Sequence, residues 1–498
     1  MKLFTIGDSL AQGFMSGAAA RADLSFSTLI ARALGLNPGS TKKNNIDYFY
    51  PAWQKGGLPA NLENILRRIN SRCGAGISVL ELAKALKIIN RIIDDSEDYY
   101  ERGKGREDSK YPGLVPFFHN VSVWMLTVAD AWLVKPETCL EAIHKQGFYS
   151  RADGLFAIAD CSFYRTALKV LAPNLENNFS QLDWLQSHAE KEGIENLILW
   201  LGINNTMGTI LSFEIHPTPN DPFNRPHLLT FAERCAGNWN LWHPGDFAAE
   251  YCELIERVDH IMKTYNTNKD WQVFIGTVPY LTIAPFIKGI GPEVRVDGKG
   301  AFYERYTYVF YDEDYARKKG CSLSIDQVLQ IDDYVDEYNK AIRELINLKN
   351  REHENNNRQK PYHIVDICEA FNRMAWKRNK GKPPFVYPPY FKTIESPVNT
   401  KYYHTDTSGR IVQGGIFSLD GVHPSAVGQG LIAAEFMKVM EGAGVVFKNS
   451  LDWKKIFDSD TLYRKPITLM GELYRHEKLA HFFTKIVLKM ARRIRAGE

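Results

Sequence analysis

Four side chains at three places in this 498-residue chain could together open an acyl ester: Ser9, Asn204, Asp420 and His423. Residues 2–6 form a short apolar run that predicts a buried strand; Gly7-Asp8 is turn chemistry, and residues 9–12 can open a helix. A serine at that junction lies close to free backbone N–H groups, the donors that a tetrahedral oxyanion requires. The same serine would also serve as a plain helix cap. Asp420 stands three residues before His423, and Pro424 biases the histidine away from helical geometry. In such a loop the carboxylate can turn back onto one imidazole nitrogen and leave the other to take the serine proton. A loop Asp and His that only cap or pack fit the pattern too. Asn204 follows an apolar run and Gly202; its amide can donate to an oxyanion, or it and Asn205 can simply end a strand as turn residues.

The elements needed to hold these residues follow in order. Helices are predicted over 27–36, 61–69, 79–93, 127–134, 162–171 and 179–192, and strands over 115–123 and 196–201. A long amphipathic helix is expected over 245–265, with Asp246 as its N-cap. Further on come a strand over 271–278, a tyrosine-rich segment at 303–315, a helix over 325–348, a short strand at 364–367 and a helix ending at Met440. Residues 94–110 read as a solvated loop and 377–407 as a surface excursion. Strands alternating with helices predict a mostly parallel sheet covered on both faces. In such folds the loops beyond the carboxyl ends of the strands gather function, and Ser9, Trp124-Met125, residues 202–205 and residues 420–424 can all lie there.

Composition narrows the classes. The apolar share of 44% can fill a sizeable core, and 61 basic against 58 acidic residues leave a net charge of +3, so no overall field draws in nucleic acid. The seven cysteines are dispersed, without a Cys-x-x-Cys pair, which predicts reduced core thiols and neither a disulfide framework nor a zinc site. His216, His227, His243 and Asp246 lack metal-ligand spacing, so neither metal nor organic cofactor is expected. No leader-like start or membrane-length apolar run is visible; a cytoplasmic protein is the expectation.

Taken together, Gly7-Asp8-Ser9-Leu10, Gly202-Ile203-Asn204-Asn205 and Asp420-Gly421-Val422-His423-Pro424 resemble the blocks of the SGNH/GDSL hydrolase family. The resemblance implies a flavodoxin-like three-layer α/β/α sandwich and a serine esterase or lipase acting through Ser9, His423 and Asp420, with Asn204 and the Ser9 N–H in the oxyanion hole. It implies a domain over 1–447 carrying insertions at about 40–110, 206–270 and 285–415, followed by a helical extension over 448–498. Two positions depart from the family pattern. Asn205 replaces the usual Asp, which should alter local turn structure more than chemistry. In Asn120-Val121-Ser122-Val123-Trp124-Met125, Met125 occupies the place of a glycine whose N–H serves the oxyanion; Gly57 is a weaker alternative. A catalytically degenerate relative that binds or assembles is the rival reading.

Residues 479–495 place Leu479, Phe482, Phe483, Ile486, Val487, Met490 and Ile494 on one helical face and basic residues on the other. Such a helix either packs on its own domain or a second copy, or lies on an anionic membrane, which would favour a lipid substrate. The expected substrate is a small-molecule, lipid or carbohydrate acyl ester.

Overall fold

The computed structural model describes residues 2–41, 45–74, 79–110, 115–145, 161–356, 360–394, 398, 400, 403–405 and 411–467. The basic helix expected over 479–495 lies outside them.

Strand β1 (Leu3–Gly7) is buried along its whole length, as its apolar run requires. It pairs in parallel with β2 (Asn196–Trp200), from Leu3 opposite Asn196 to Gly7 opposite Trp200. Next come β3 (Gln272–Gly276) and β4 (Tyr362–Val365), also parallel. The sheet order is β1-β2-β3-β4.

The other edge of β1 is occupied by residues 119–123. Thr5 N–H donates to His119 O at 2.8 Å, Val121 N–H to Thr5 O at 3.1 Å and Val123 N–H to Gly7 O at 3.2 Å. The strand expected over 115–123 is therefore a run of backbone hydrogen bonds with a single parallel bridge, Thr5 to Asn120, rather than a regular strand. Pro116, without an N–H, cannot extend the ladder.

Successive residues of β1 face opposite ways. Phe4 meets His188, on helix Gln181–Lys191, with ring centroids 4.8 Å apart. Thr5 turns instead to the buried Tyr48 hydroxyl. Phe26, at the start of helix Phe26–Ala33, packs edge-on to Trp200 and stacks on Phe436 of helix Ala426–Gly442. Each such fully buried aromatic contributes about 1.5–3 kcal/mol. Helix Pro244–Thr264 lies between helices Gln181–Lys191 and Ile325–Asn355 and packs on both. The result is a mixed α/β architecture around a mostly parallel central sheet.

Several sequence expectations change in detail. Helix Val79–Glu101 runs through the stretch expected as a loop after residue 93. Ile93, Ser96, Glu97, Tyr100 and Glu101 form a buried stripe at helical spacing, and its acidic members hid the period. The cap of helix Pro244–Thr264 is His243, whose Nδ1 accepts from Gly245 N–H at 3.3 Å. Pro244 fills the first helical position, so Asp246 falls inside the first turn, fully buried and paired with Arg225 at 2.8 Å.

The tyrosine-rich segment opens in an antiparallel hairpin, Ile287–Val296 with Gly300–Tyr308, and enters helix Glu313–Lys319; its Tyr306 and Tyr308 are core residues. The stretch from residue 377 does not begin on the surface. Arg378 is buried, pairs with Asp332 at 2.8 Å and lies over the Phe302 ring. Lys377 Nζ donates to the carbonyls of Thr282, Ala284 and Ile287 at 3.2, 2.8 and 2.6 Å. Six cysteines form no disulfide among the described residues; Cys139 and Cys368 are buried, while Cys161, Cys235, Cys252 and Cys321 are only half-buried, less core-like than expected. Among the described residues no helix is long and apolar enough to cross a membrane.

Candidate active site

At the carboxyl end of β1 the chain turns through Asp8 into the short helix Ser9–Gln12. Asp8 caps it, its Oδ1 accepting from Leu10 N–H at 3.0 Å. Ser9 takes the first helical position and is 2% exposed. Its own N–H has no acceptor among the described residues, as expected for the first turn of a helix. Burial is the largest influence on the Asp8 carboxyl and raises it to about 7; the Leu10 N–H and the charge of His423 oppose that rise.

Residues 416–429 return to this corner and are stitched to the first thirty residues. Ser16 N–H donates to Ser418 Oγ at 2.8 Å, Gly17 N–H to Asp420 Oδ2 at 2.8 Å and Phe26 N–H to Gln429 Oε1 at 2.8 Å. Gln429 Nε2 also reaches Leu10 O at 3.1 Å. The bend that permits this has Ser16 and Gly17 at φ +53° and +81°. A Cβ on Gly17 would stand 2.8 Å from Ala60 O.

The two loop residues adopt the expected pairing. His423 Nδ1 lies 3.0 Å from Asp420 Oδ2, while Asp420 Oδ1 accepts the N–H groups of Val422 and His423 at 2.9 and 2.8 Å. Burial pushes the Asp420 carboxyl up, but the charge and hydrogen bond of His423 and these backbone donors outweigh it and hold the group below its ordinary value. An ionised Asp420 keeps the proton on Nδ1 and leaves Nε2 as a base. Phe14 packs on the imidazole with centroids 4.5 Å apart.

Asn204 opens helix Asn204–Ser212 just beyond β2. The turn between them needs Gly202, at φ +126°, where a Cβ would meet Val278 at 2.7 Å. Asn204 Nδ2 spends one proton on Leu126 O at 2.9 Å and keeps a second. Asn205 points elsewhere: its Oδ1 accepts from Val128 N–H at 3.3 Å and its carbonyl from Trp242 N–H at 2.9 Å, a local bracing role. Met125 adopts φ +65°, the left-handed conformation for which glycine is ordinarily used. Its N–H, too, has no acceptor among the described residues. Gly57 is a poorer donor, since its N–H is committed to Gln54 O at 2.9 Å.

One cavity collects these groups. Ser9, Met125, Asn204, Asp420 and His423 line it together, beside apolar walls from Phe14, Leu62, Trp124, Met207, Leu211 and Phe286. Its empty space, mouth included, is about 570 Å³. Phe286 is fixed against the histidine loop by its N–H, which donates to Gly421 O at 2.9 Å.

A second group of polar side chains was not visible in the sequence. Ligand atoms of His119, His188 and Glu192 lie within 4.8 Å of one another. Phe49 N–H donates to His119 Nδ1 at 2.8 Å, which puts that ring's proton on Nε2, facing Glu192 at 3.5 Å. A protonated nitrogen offers no lone pair to an ion, so this group fits a hydrogen-bonded cluster better than a metal site.

No protein-family model matches the chain, and no curated protein matches it either.

Proposed function

We propose that the protein is a serine hydrolase of the SGNH/GDSL type that cleaves carboxylic esters through an acyl-serine intermediate. The observation that carries this reading is the single cavity lined by Ser9, His423, Asp420, Asn204 and Met125. The strand order supports the finer fold reading: with residues 119–123 outside β1, the order corresponds to the 2-1-3-4-5 of a flavodoxin-like α/β/α sandwich.

In this mechanism His423 Nε2 removes the Ser9 hydroxyl proton as Oγ bonds to the ester carbonyl carbon. The oxyanion receives the N–H groups of Ser9 and Met125 and the second Nδ2 proton of Asn204. Each such donor is worth about 2.7–4 kcal/mol in the transition state. His423 then gives its proton to the alcohol oxygen, the carbon–oxygen bond breaks and the alcohol leaves. Water, deprotonated by the same nitrogen, attacks the acyl-serine and releases the acid. Asp420 stays ionised throughout and stabilises the transient imidazolium.

A fluorophosphonate probe followed by mass spectrometry tests the reading, alongside turnover of p-nitrophenyl acetate, butyrate and palmitate. The expected result is one adduct, on Ser9, with adduct and turnover both absent from Ser9→Ala. Folded wild type that gains no adduct and is as inactive as Ser9→Ala would leave a binding protein in place of an enzyme.

A further inference from the structure

A second cavity adjoins the first across a partition made by Met125 and Asn204, which line both. Four aromatic rings form much of its wall. Phe163 and Phe231 lie nearly parallel, 13° between planes and 6.4 Å between centroids, and Trp239 meets Trp242 edge to face at the same centroid distance. Phe163 and Trp242 are buried, whereas Phe231 and Trp239 are partly buried. Walls of this kind suit a flat ring, which gains both burial and ring–ring contact.

The polar groups of the cavity restrict the ring's chemistry. Arg234 is already engaged: Nη1 and Nη2 each meet a Glu250 oxygen at 3.0 Å, and Nη2 also donates to Thr127 Oγ1 at 2.8 Å. Its charge is thus matched, and no other Lys or Arg lines the cavity to attract an anion. Acceptors, by contrast, are left open. Asn204 Oδ1 is buried with no partner. Asp130 Oδ2 is held by Thr127 N–H and Oγ1 at 2.8 and 2.7 Å, but its Oδ1 stands 3.8 Å from Arg234 Nε, beyond hydrogen-bond reach. A ligand hydroxyl reaching Asn204 Oδ1 would satisfy a buried acceptor that otherwise lacks a donor, and one reaching Asp130 Oδ1 would add a hydrogen bond to that carboxyl.

Position decides which half of an ester belongs here. His423 lines the first cavity only. The departing alcohol oxygen must collect its proton from His423, so the alcohol occupies the first cavity and the acyl group extends past Met125 and Asn204. We infer that the second cavity is an acyl subsite for a neutral aromatic ring bearing a hydroxyl group, as in a hydroxycinnamoyl ester. The assignment to the acyl half rests on the hydrolase reading; the ring recognition rests on the cavity itself.

The test combines binding and turnover. Methyl 4-hydroxycinnamate and methyl cinnamate are titrated into Ser9→Ala protein by ligand-observed NMR, and again with Trp239→Ala or Trp239→Phe added. Wild type, Trp239→Ala and Trp239→Phe are then assayed on both esters and on p-nitrophenyl acetate. The hydroxylated ester should bind roughly tenfold tighter or more, the ratio expected of a hydrogen bond to a buried charged or orphaned acceptor. Trp239→Ala should erase that preference and Trp239→Phe should keep most of it, which separates a lost wall from a misfolded variant. Equal binding of the two esters, or a preference indifferent to Trp239→Ala, overturns the inference. So does a Trp239-dependent preference for a 6-O-acetyl glucoside over the aryl ester. Selective binding without hydrolysis of any ester would keep the subsite and remove the hydrolase reading. Ser9-dependent turnover of p-nitrophenyl acetate without selective binding would do the reverse.

Discussion

Gly17 N–H donates to Asp420 Oδ2 at 2.8 Å, and the same oxygen faces His423 Nδ1 at 3.0 Å. The bend after the serine helix therefore holds the acid that orients the histidine. Gly17 is a positioning residue in this scheme. With φ at +81° and Ala60 O in the way of any Cβ, Gly17→Ala must shift the bend. Its expected effect is a roughly 10–100-fold fall in kcat on p-nitrophenyl acetate with KM little changed, the cost of misplacing a catalytic group by about 1 Å. Asp420→Asn should cost more, about 10⁴-fold, by favouring the wrong imidazole tautomer. A Gly17→Ala enzyme with wild-type kcat would show that this hydrogen bond orients nothing.

Asp8 and Asp420 bias stability in opposite directions with pH. Burial lifts Asp8 to about 7, so between about pH 4 and 7 the folded protein keeps a proton there that the unfolded chain releases. The stability drawn from Asp8 is thus present in acid and lost as the pH rises through 7. Asp420 is held low, so its contribution is present above the ordinary carboxylate range and lost as the pH falls. Asp8→Asn keeps a capping oxygen for Leu10 and removes the buried charge. The Tm of this variant minus that of wild type should grow by roughly a few degrees between pH 5 and pH 8; thermal scans that give a constant difference would contradict the assignment.

Met125 offers its backbone, so Met125→Gly should retain acetate-ester turnover within a few-fold. The left-handed φ of +65° costs a methionine about 1–2 kcal/mol that glycine does not incur, offset in part by the looser unfolded chain. Asn204→Ala removes a side-chain donor and should lower kcat by about 10²–10³. Steady-state kinetics on both variants separate the roles. A large gain on Met125→Gly would mean that the methionine side chain obstructs the native site.

Lys377 ties down the loop that brings Phe286 to the cavity. Lys377→Met would leave the Thr282, Ala284 and Ile287 carbonyls without that donor. Burying such groups unpaired costs about 1–3 kcal/mol. Chemical denaturation should show a lower midpoint with little change in slope; an unaltered midpoint would mean that water replaces the ammonium group freely.

What the sequence disclosed and what it hid have a common physical basis. Residues 3–7, 196–200 and 272–276 were legible because parallel strands buried on both faces, as these are apart from Gln272, read as mainly apolar runs. The Asp420–His423 pairing was legible because Pro424 restricts the backbone beside it, and the helix start at Ser9 because Gly7-Asp8 is turn chemistry. The Arg234–Glu250–Asp130 cluster was not, since Asp130 and Arg234 stand 104 residues apart in the chain and leave no periodic trace. Lys377 and Arg378 looked like solvent-facing residues because their partners, in 282–287 and at Asp332, are also remote in sequence. The charged stripe at Glu97 and Glu101 misled for a related reason: burial of a carboxylate depends on its surroundings, which composition does not record.

The stitching of residues 10–26 to residues 416–429 has a consequence for the order in which the protein is made. Ser9 leaves the ribosome 414 residues before His423, a lag of roughly 20–80 s at about 5–20 residues per second. Throughout that interval Ser9 has neither His423 nor Asp420 beside it, and the hydrogen bonds that shape the bend at Ser16 and Gly17 await acceptors not yet synthesised. If the proposed mechanism holds, a chain stopped anywhere before residue 420 would carry the serine and turn over no ester. On the proposed mechanism, the reactive centre can exist only once residues 420–423 have emerged and folded back onto the bend at Ser16 and Gly17.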